Sequence, residues 1–326
     1  MSEGVQQASA RVLAATLTLF SREMDIAPPP FSFWTGQLTA SEIKQAAMEV
    51  VEGKAGVLWV DESYPALGLM LYSFQSLEEI LLGYRTIKLK GPWLVEGDAL
   101  EREKRVGILA EKAKVLALER GVGLITIKTG QDPAVLRALT SQGFQLAEIS
   151  TRFKGSLNNI SPPEYPFLKH PGLSLKKAKG PERQSWLEQL GDLFYDGHYL
   201  HGPYLEPDFQ NKLWRQVTLR ELNKLQPALF LWDERSDKPV GLALASLFST
   251  QASLTVLYLS ENKRGQGLGR LLVLELIRLL RSLGVNELFV ETASWNLPAL
   301  AVYRTLGLKF ISPLVALHWE PSMNKN

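Results

Sequence analysis

Residues 257–270 read LYLSENKRGQGLGR and are followed at once by the apolar run 271–280. An alternating apolar stretch that breaks into spaced glycines and then into a helical run predicts a strand, a tight turn and the start of a helix. Unpaired N–H groups at a helix start attract anions, and glycines let an anion approach the backbone closely. The stretch therefore predicts a phosphate site, although a tight turn without any ligand would have the same pattern.

Length and composition narrow the class of protein. The chain has 326 residues, so we expect two domains or a duplicated unit. Hydrophobic residues make 45% and charged residues 21% of the chain, as in ordinary globular proteins, and a net charge of +2 does not call for nucleic acid. The absence of cysteine excludes thiolate nucleophiles and cysteine-bound zinc, and with only four histidines we expect no metal site.

The N-terminal region contains the apolar run 12–20, which is too short to span a bilayer and is interrupted by two threonines. We expect an amphipathic helix over residues 6–24, no membrane partner and a cytoplasmic location. A homodimer is compatible with the sequence.

The predicted elements occur twice in the same order: hairpin strands, a long helix, a strand, a short helix that ends at glycine, and a last strand. In the first half these are residues 56–60, 66–74, 85–90, 98–119, 122–128, 132–143 and 144–153. In the second half, after helices near 181–194 and 208–225, they are residues 229–232, 241–248, 253–259, 267–283, 287–292, 297–306 and 309–319. The proline-rich stretch 156–172 separates the halves, so we expect domains 1–160 and 161–326 in a mixed α/β fold.

The two halves differ where chemistry is expected. When the two halves are aligned with Gly143 matched to Gly307, Leu139 is matched to Tyr303. The first half therefore lacks the tyrosine hydroxyl. Its long helix follows the sequence GPWLVEG, which is not a phosphate-type glycine turn. We therefore expect a degenerate first unit and an active second unit.

A second motif, NLPALAVYRTLG, occupies residues 296–307. With it the chain resembles the GNAT acetyltransferase superfamily. Its members carry R/Q-x-x-G-x-G/A on the helix after the fourth strand and N-x-x-A-x-x-x-Y-x-x-x-G on the helix after the fifth. The matching residues are Arg264, Gly267, Gly269, Asn296, Ala299, Tyr303 and Gly307.

The resemblance implies two tandem acyl-CoA N-acyltransferase units and acetyl-CoA as cosubstrate. The pyrophosphate would lie on the amides of residues 266–270, and the pantetheine would run beside a strand near Leu257 and Leu259. The implied cofactor-binding residues are Leu257, Leu259, Arg264, Gly265, Gln266, Gly267, Leu268, Gly269, Arg270, Asn296, Ala299 and Tyr303.

The resemblance also implies direct transfer, in keeping with the missing cysteine. A neutral amine attacks the thioester, and a backbone N–H near Leu259 stabilises the oxyanion, which is worth roughly 2.7 to 4 kcal/mol per donor. Tyr303 would then protonate the leaving thiolate.

The base that deprotonates the amine is not identified by the sequence. Glu291, Asp196, His198 and His201 are candidates, and a chain of water molecules is equally suitable. Residues 195–207 form an aromatic loop, and we expect substrate contacts from His198, Tyr199, His201 and Tyr258.

A narrower resemblance covers most of the chain and is to tandem acetyltransferases with a degenerate first unit, especially the dTDP-fucosamine acetyltransferase type. Thr292 and the second motif agree with that type, and His318 and Trp319 resemble its ending. The chain departs from its R-F-H-x-D-P signature, because residues 198–203 read HYLHGP.

We therefore expect transfer of an acetyl group from acetyl-CoA to a primary amine of a small acceptor, with amino sugars and nucleotide-linked amino sugars as candidates. The alternatives are a mycothiol-synthase-like enzyme, a peptide or protein N-acetyltransferase, and an inactive acyl-CoA-binding sensor.

Overall fold

The computed structural model describes residue 50 and residues 55–60, 68–94, 97–160, 170–177, 180, 182–190, 209–248 and 250–321. The helix predicted at residues 6–24 and the aromatic loop at 195–207 lie outside these residues. The described chain divides into two compact units. Strands and helices alternate in both of them, so the predicted mixed α/β fold class is confirmed.

Unit 1 contains the described residues up to Ile149 and those from Ser312 onwards. Its strands lie in the order β1-β2-β3-β4-β11, and only the β3–β4 pair is parallel. The elements are β1 (Ala55–Trp59), β2 (Gly68–Phe74), α1 (Ser76–Leu82), β3 (Arg85–Leu94), α2 (Ala99–Glu119), β4 (Val122–Thr129), α3 (Pro133–Ser141), the start of β5 (Gln145–Ser156) and the end of β11 (Lys309–Trp319).

Unit 2 contains the described residues from Ser150 to Ile311. Its strands lie in the order β5-β10-β9-β8-β7-β6, and only the β9–β10 pair is parallel. Besides the end of β5 and the start of β11, the elements are β6 (Leu173–Lys176), α4 (Glu182–Gln189), α5 (Phe209–Asn223), β7 (Ala228–Asp233), β8 (Lys238–Phe248), β9 (Gln251–Leu259), α6 (Leu268–Ser282), β10 (Glu287–Ala293) and α7 (Leu297–Thr305).

Each unit contains a strand segment from the other half of the sequence. Residues 150–156 of β5 pair antiparallel with β10 inside unit 2. Residues 315–319 of β11 pair antiparallel with β4 inside unit 1. The compact units are therefore not two continuous halves of the chain, and the division at residue 160 stays a prediction about domains.

The short helices α3 and α7 end in the same way. Gly143 follows α3 with φ 86°, and Gly307 follows α7 with φ 74°. The next N–H group in each case donates back into the helix, from Phe144 to the carbonyl of Leu139 and from Leu308 to the carbonyl of Tyr303. These matching bonds support the alignment of Leu139 with Tyr303.

The strands of unit 2 are covered on both faces by apolar side chains. The first cluster, called the α6 core, joins α6 to Leu288 and Val290 of β10 through Leu268, Leu272, Val273, Leu276, Ile277 and Leu280. The second, called the α4 core, is formed by Leu187, Leu190, Leu222, Phe230, Leu242, Leu244, Val256 and Tyr258. Each fully buried leucine stabilises the fold by about 1.5 to 3 kcal/mol. Within the described segments, no helix is long and apolar enough to cross a bilayer.

Candidate active site

The parallel strands β9 and β10 separate part-way along their length. Their pairing runs from Gln251 and Glu287 to Leu254 and Val290. Strand β9 then continues to Leu259 while β10 remains paired with β5 on its other side. Among the described residues, nothing pairs with the β10-facing edge of β9 beyond Leu254, so its backbone can accept an extended ligand.

A β-bulge lies on β9 at the point of separation. Leu244 of β8 pairs with Val256 and Ala245 pairs with Leu254, so Thr255 is the extra residue. Before the bulge Leu254 belongs to the α6 core, whereas Val256 after it belongs to the α4 core. A bulge bends its strand and increases the local twist, which is consistent with the divergence of β9 from β10.

Polar side chains hold the bulge from the α4 side. The hydroxyls of Thr255 and Ser246 lie 2.8 Å apart, and Ser246 Oγ donates to Glu221 Oε2 at 3.1 Å. Burial opposes ionisation of Glu221, but hydrogen bonds from Lys224 and Ser246 keep its pKa below the usual value. A buried carboxylate therefore anchors the bulge.

The glycine turn leads from β9 into α6 as predicted. Gly265 has φ 73° and Gly267 has φ 76°, a region that other residues avoid. Gly267 is the N-cap of α6, and no side chain of the described residues caps the helix there. In the described part of the chain, no backbone hydrogen bond uses an N–H group of residues 265–270 as donor. A Cβ atom at Gly265 or Gly267 would meet no described atom within 4 Å, so the turn leaves space in which an anion could approach its backbone.

Side chains of the turn make hydrogen bonds to nearby backbone carbonyls and to Asp233. Arg264 Nε donates to the carbonyl of Leu259 at 3.0 Å, and Gln266 Nε2 donates to the carbonyl of Asn262 at 3.0 Å. Lys263 Nζ donates to Asp233 Oδ2 at 2.7 Å, and this bond lowers the pKa of Asp233. The predicted binding residues Arg264 and Gln266 therefore shape the turn, while its amides remain available for a ligand.

The two sequence motifs come together at Gly269. A Cβ atom there would lie 3.6 Å from Leu259 Cδ1 and 3.9 Å from Val302 Cγ2. The first turn of α6 therefore packs closely between the end of β9 and the helix that carries Tyr303.

Tyr303 lies in the α6 core and is only 4% exposed. Its ring packs against Phe153 of β5, with 5.9 Å between the ring centroids. Burial raises the pKa of the phenol well above its ordinary value of 10.0, so the hydroxyl keeps its proton at neutral pH. Such a group can donate a proton to a strongly basic partner.

Asn296 caps the helix of Tyr303. Its Oδ1 accepts from the N–H of Ala299 at 3.3 Å, and its Nδ2 donates to Thr292 Oγ1 at 3.1 Å. The predicted motif residues Asn296 and Ala299 thus fix the start of α7, and through it the place of Tyr303.

Glu291 is the first residue of β10 beyond its last pair with β9. It alternates with Val290, which belongs to the α6 core, so Glu291 lies on the opposite face of the strand. The side chain is exposed, and its Oε1 accepts from Ser150 Oγ at 2.9 Å. Arg152 of β5 is paired in register with Glu291. Burial lowers the pKa of Arg152, and the negative charge of Glu291 raises it in part.

The sequence did not point to Ser150 and Arg152, because no local pattern shows that β5 pairs with β10.

Among the predicted substrate residues, Tyr258 is buried in the α4 core and its hydroxyl donates to the carbonyl of Leu190 at 3.0 Å. Asp196, His198, Tyr199 and His201 lie outside the described residues. In the part of the chain that the structure describes, no group of three acidic or histidine side chains could hold a metal ion.

Comparison with known proteins agrees with this geometry. Residues 187–308 match the family model described as the acetyltransferase (GNAT) family. These residues are similar to a GNAT acetyltransferase domain, and they include the separated strands, the glycine turn and the helix of Tyr303. The protein is accordingly an enzyme of the acyltransferase class. A search of curated proteins finds no match.

Solved structures show the GNAT fold over nearly the whole chain. A GCN5-related N-acetyltransferase from Sphaerobacter thermophilus has 16% identity and a TM-score of 0.60, and the match covers 97% of this chain and 95% of that one. A tandem GNAT protein from the clavulanic acid biosynthesis pathway has 14% identity and a TM-score of 0.61, with 95% and 96% covered. A fungal GCN5-related glucosamine N-acetyltransferase region has 12% identity and a TM-score of 0.59, with 78% and 31% covered. The predicted tandem GNAT fold is therefore confirmed.

Proposed function

We propose that unit 2 transfers the acetyl group of acetyl-CoA directly to a primary amine of a small acceptor. The observation that carries this proposal is the accessible row of amides at residues 265–270, placed at the end of a strand whose facing edge is open. A pyrophosphate and an extended amide chain are the two parts of coenzyme A that such a surface suits.

The cosubstrate would occupy this surface in two parts. The pyrophosphate oxygens would accept from the amides of residues 266–270 at the positive end of α6. The pantetheine amides would pair with the open edge of β9 at Leu257 and Leu259, where an added strand can form hydrogen bonds. The thioester would then lie near the point where β9 and β10 separate.

The reaction is an addition followed by an elimination. The neutral amine attacks the thioester carbonyl, a C–N bond forms, and a backbone N–H of β9 stabilises the oxyanion. The C–S bond then breaks and the sulfur leaves as a thiolate. Tyr303, which burial keeps protonated at neutral pH, gives its proton to that thiolate, and the extra proton that the new amide nitrogen loses restores the phenol.

Glu291 is the described carboxylate that best serves the acceptor. It lies at the point of strand separation, on the face of β10 opposite to the α6 core, and its side chain is exposed. In this proposal the acceptor ammonium binds there and passes one proton to the carboxylate before the amine attacks.

The start of α2 supports a single cosubstrate site. Asp98 is the N-cap of α2 and its Oδ1 accepts from the N–H of Glu101 at 2.8 Å. A carboxylate therefore occupies the place that an anion would need, and Glu101 adds a second negative charge in the first turn. We expect unit 1 to bind no acetyl-CoA.

Amino sugars are the acceptor class to test first. The fungal region that shares this fold is a glucosamine N-acetyltransferase, and the second motif resembles that of the dTDP-fucosamine type. Glucosamine and nucleotide-linked amino sugars are therefore the first acceptors in the assay.

A thiol-release assay with acetyl-CoA tests the function. The acceptors are amino sugars, nucleotide-linked amino sugars, amino acids, polyamines and peptides, and calorimetry measures acetyl-CoA binding in parallel. We expect one bound acetyl-CoA per chain and thiol release with one acceptor class. Binding without transfer to any amine would favour an acyl-CoA sensor, and the absence of binding would refute the cosubstrate.

A further inference from the structure

The end of β5 brings two buried polar side chains to Glu291. Ser150 is 1% exposed and donates to Glu291 Oε1, and Arg152 is 7% exposed and faces Glu291 across the strand pair. Both come from the first half of the sequence, whose own unit we expect to be inactive. We propose that Ser150 and Arg152 are positioning residues that hold the Glu291 carboxylate for the acceptor amine.

The physical need for such support follows from the exposure of Glu291. An exposed glutamate samples many rotamers, and a proton acceptor must stay within hydrogen-bond reach of the proton that it removes. A hydroxyl fixed in the core restricts one carboxylate oxygen. A guanidinium on the adjacent strand adds a charged partner with a fixed planar geometry.

Burial makes this arrangement sensitive to its partners. Desolvation lowers the pKa of Arg152 and the charge of Glu291 opposes that effect, so each ion stabilises the other. A charge left buried without its counter-ion is strongly unfavourable. The strand exchange thus ties the proposed acceptor carboxylate to a segment outside the second half of the sequence.

The same two strands contain a matched ion pair away from the opening. Lys154 Nζ of β5 lies 2.8 Å from Glu287 Oε1 of β10. Lys154 is on the same face of β5 as Arg152, because these residues are two positions apart in the strand. This pair lies where β10 is still paired with β9. Its loss removes a cross-strand ion pair without touching the point of separation.

The experiment compares Ser150→Ala, Arg152→Gln and Arg152→Lys with the control Lys154→Gln. Thiol release is measured with glucosamine, spermidine and glycylglycine, and also with hydroxylamine, which is largely neutral near pH 7 and needs no prior loss of a proton. Calorimetry gives the acetyl-CoA affinity of each variant, and thermal unfolding checks the fold.

We expect Ser150→Ala and Arg152→Gln to lower kcat/KM for the charged amine that wild type uses by tenfold or more. Transfer to hydroxylamine and the acetyl-CoA Kd should stay within about twofold to threefold, and Arg152→Lys should recover part of the loss. Lys154→Gln should resemble wild type in kcat/KM for both kinds of amine and in acetyl-CoA Kd. If Arg152→Gln does not fold, Ser150→Ala decides, because alanine fits the buried site of a serine.

The inference is wrong if Ser150→Ala leaves kcat/KM unchanged, or if hydroxylamine and the charged amine lose activity equally. The inference rests on the proposed transferase function, and the experiment gives a different result when the function is wrong than when only the positioning role is wrong. A wild-type protein that transfers to none of the amines overturns both. An active wild type whose variants match Lys154→Gln overturns the positioning role alone.

Discussion

The side-chain oxygen of Asn296 accepts a hydrogen bond from the N–H of Ala299 at the start of α7, and Asp132 makes the corresponding cap for Ala134 at the start of α3. Removing either cap should destabilise its helix by about 1 kcal/mol. Only Asn296→Ala should also lower turnover, because α7 carries Tyr303.

Thermal unfolding and thiol release, measured on Asn296→Ala and Asp132→Ala, check this prediction. Similar losses of stability with a selective loss of turnover are expected. Equal losses of turnover would show that the second motif has no special link to catalysis.

Gly267 and Gly284 lie beyond opposite ends of α6 and have nearly the same backbone. Their φ angles are 76° and 80°, and a Cβ atom at either position would meet nothing within 4 Å. Alanine at either position should therefore cost about 1 to 2 kcal/mol of stability through strain. Only Gly267→Ala should weaken acetyl-CoA binding, by tenfold or more, because it distorts the amides of the turn. Calorimetry checks this, and equal affinities in the two variants would argue against a pyrophosphate at the turn.

Tyr303 and Tyr258 allow two buried hydroxyls to be compared. Tyr303→Phe should lower turnover by about a hundredfold and leave the acetyl-CoA affinity nearly unchanged, as expected for a lost general acid. Tyr258→Phe loses the bond to the carbonyl of Leu190, so it should cost about 1 kcal/mol of stability with little change in the chemical step. Single-turnover kinetics separate the two, and unchanged turnover in Tyr303→Phe would assign that residue to packing.

His318 of β11 predicts a pH dependence of stability. Burial, with the Lys128 charge, lowers its pKa from 6.5 to about 4. Between pH 6.5 and pH 4, His318 is protonated in the unfolded chain but neutral in the folded chain. The free energy of unfolding is therefore highest above pH 6.5 and falls as the pH is lowered towards 4. His318 accounts for about 3 kcal/mol of that decrease. Urea unfolding between pH 4 and 7 measures it, and His318→Gln should have a flatter profile, whereas an equally steep profile would place the acid sensitivity elsewhere.

Local sequence signals predicted the elements that carry the site. The glycine spacing indicated the turn into α6, and the Asn296 motif indicated a short capped helix with a tyrosine, because capping and left-handed glycine turns depend on a few neighbouring residues. Helix α1 was not predicted, since it has only seven residues, follows directly on β2 and has Gln75 as its N-cap without a capping side-chain hydrogen bond.

The surroundings of the site could not be predicted in the same way. The sequence made Tyr258 a candidate for substrate contact, but its side chain bonds to Leu190 in the α4 core. The bulge at Thr255 decides which face each residue of β9 occupies, and a shift of one residue exchanges those faces. Ser150 and Arg152 reach Glu291 only through pairing between strands far apart in the chain, which no local pattern encodes.

The exchanged segments affect the order in which the chain can be completed during synthesis. The strand that pairs with β4 comes from residues 315–319, so unit 1 cannot close its pairing until those residues have left the ribosome. Contacts between residues so distant in sequence form slowly, and the uncovered edge of β4 is a site for wrong pairing in the meantime. A nascent chain that stops before β11 should therefore expose an unpaired strand, and it should depend on chaperones more than the finished protein does.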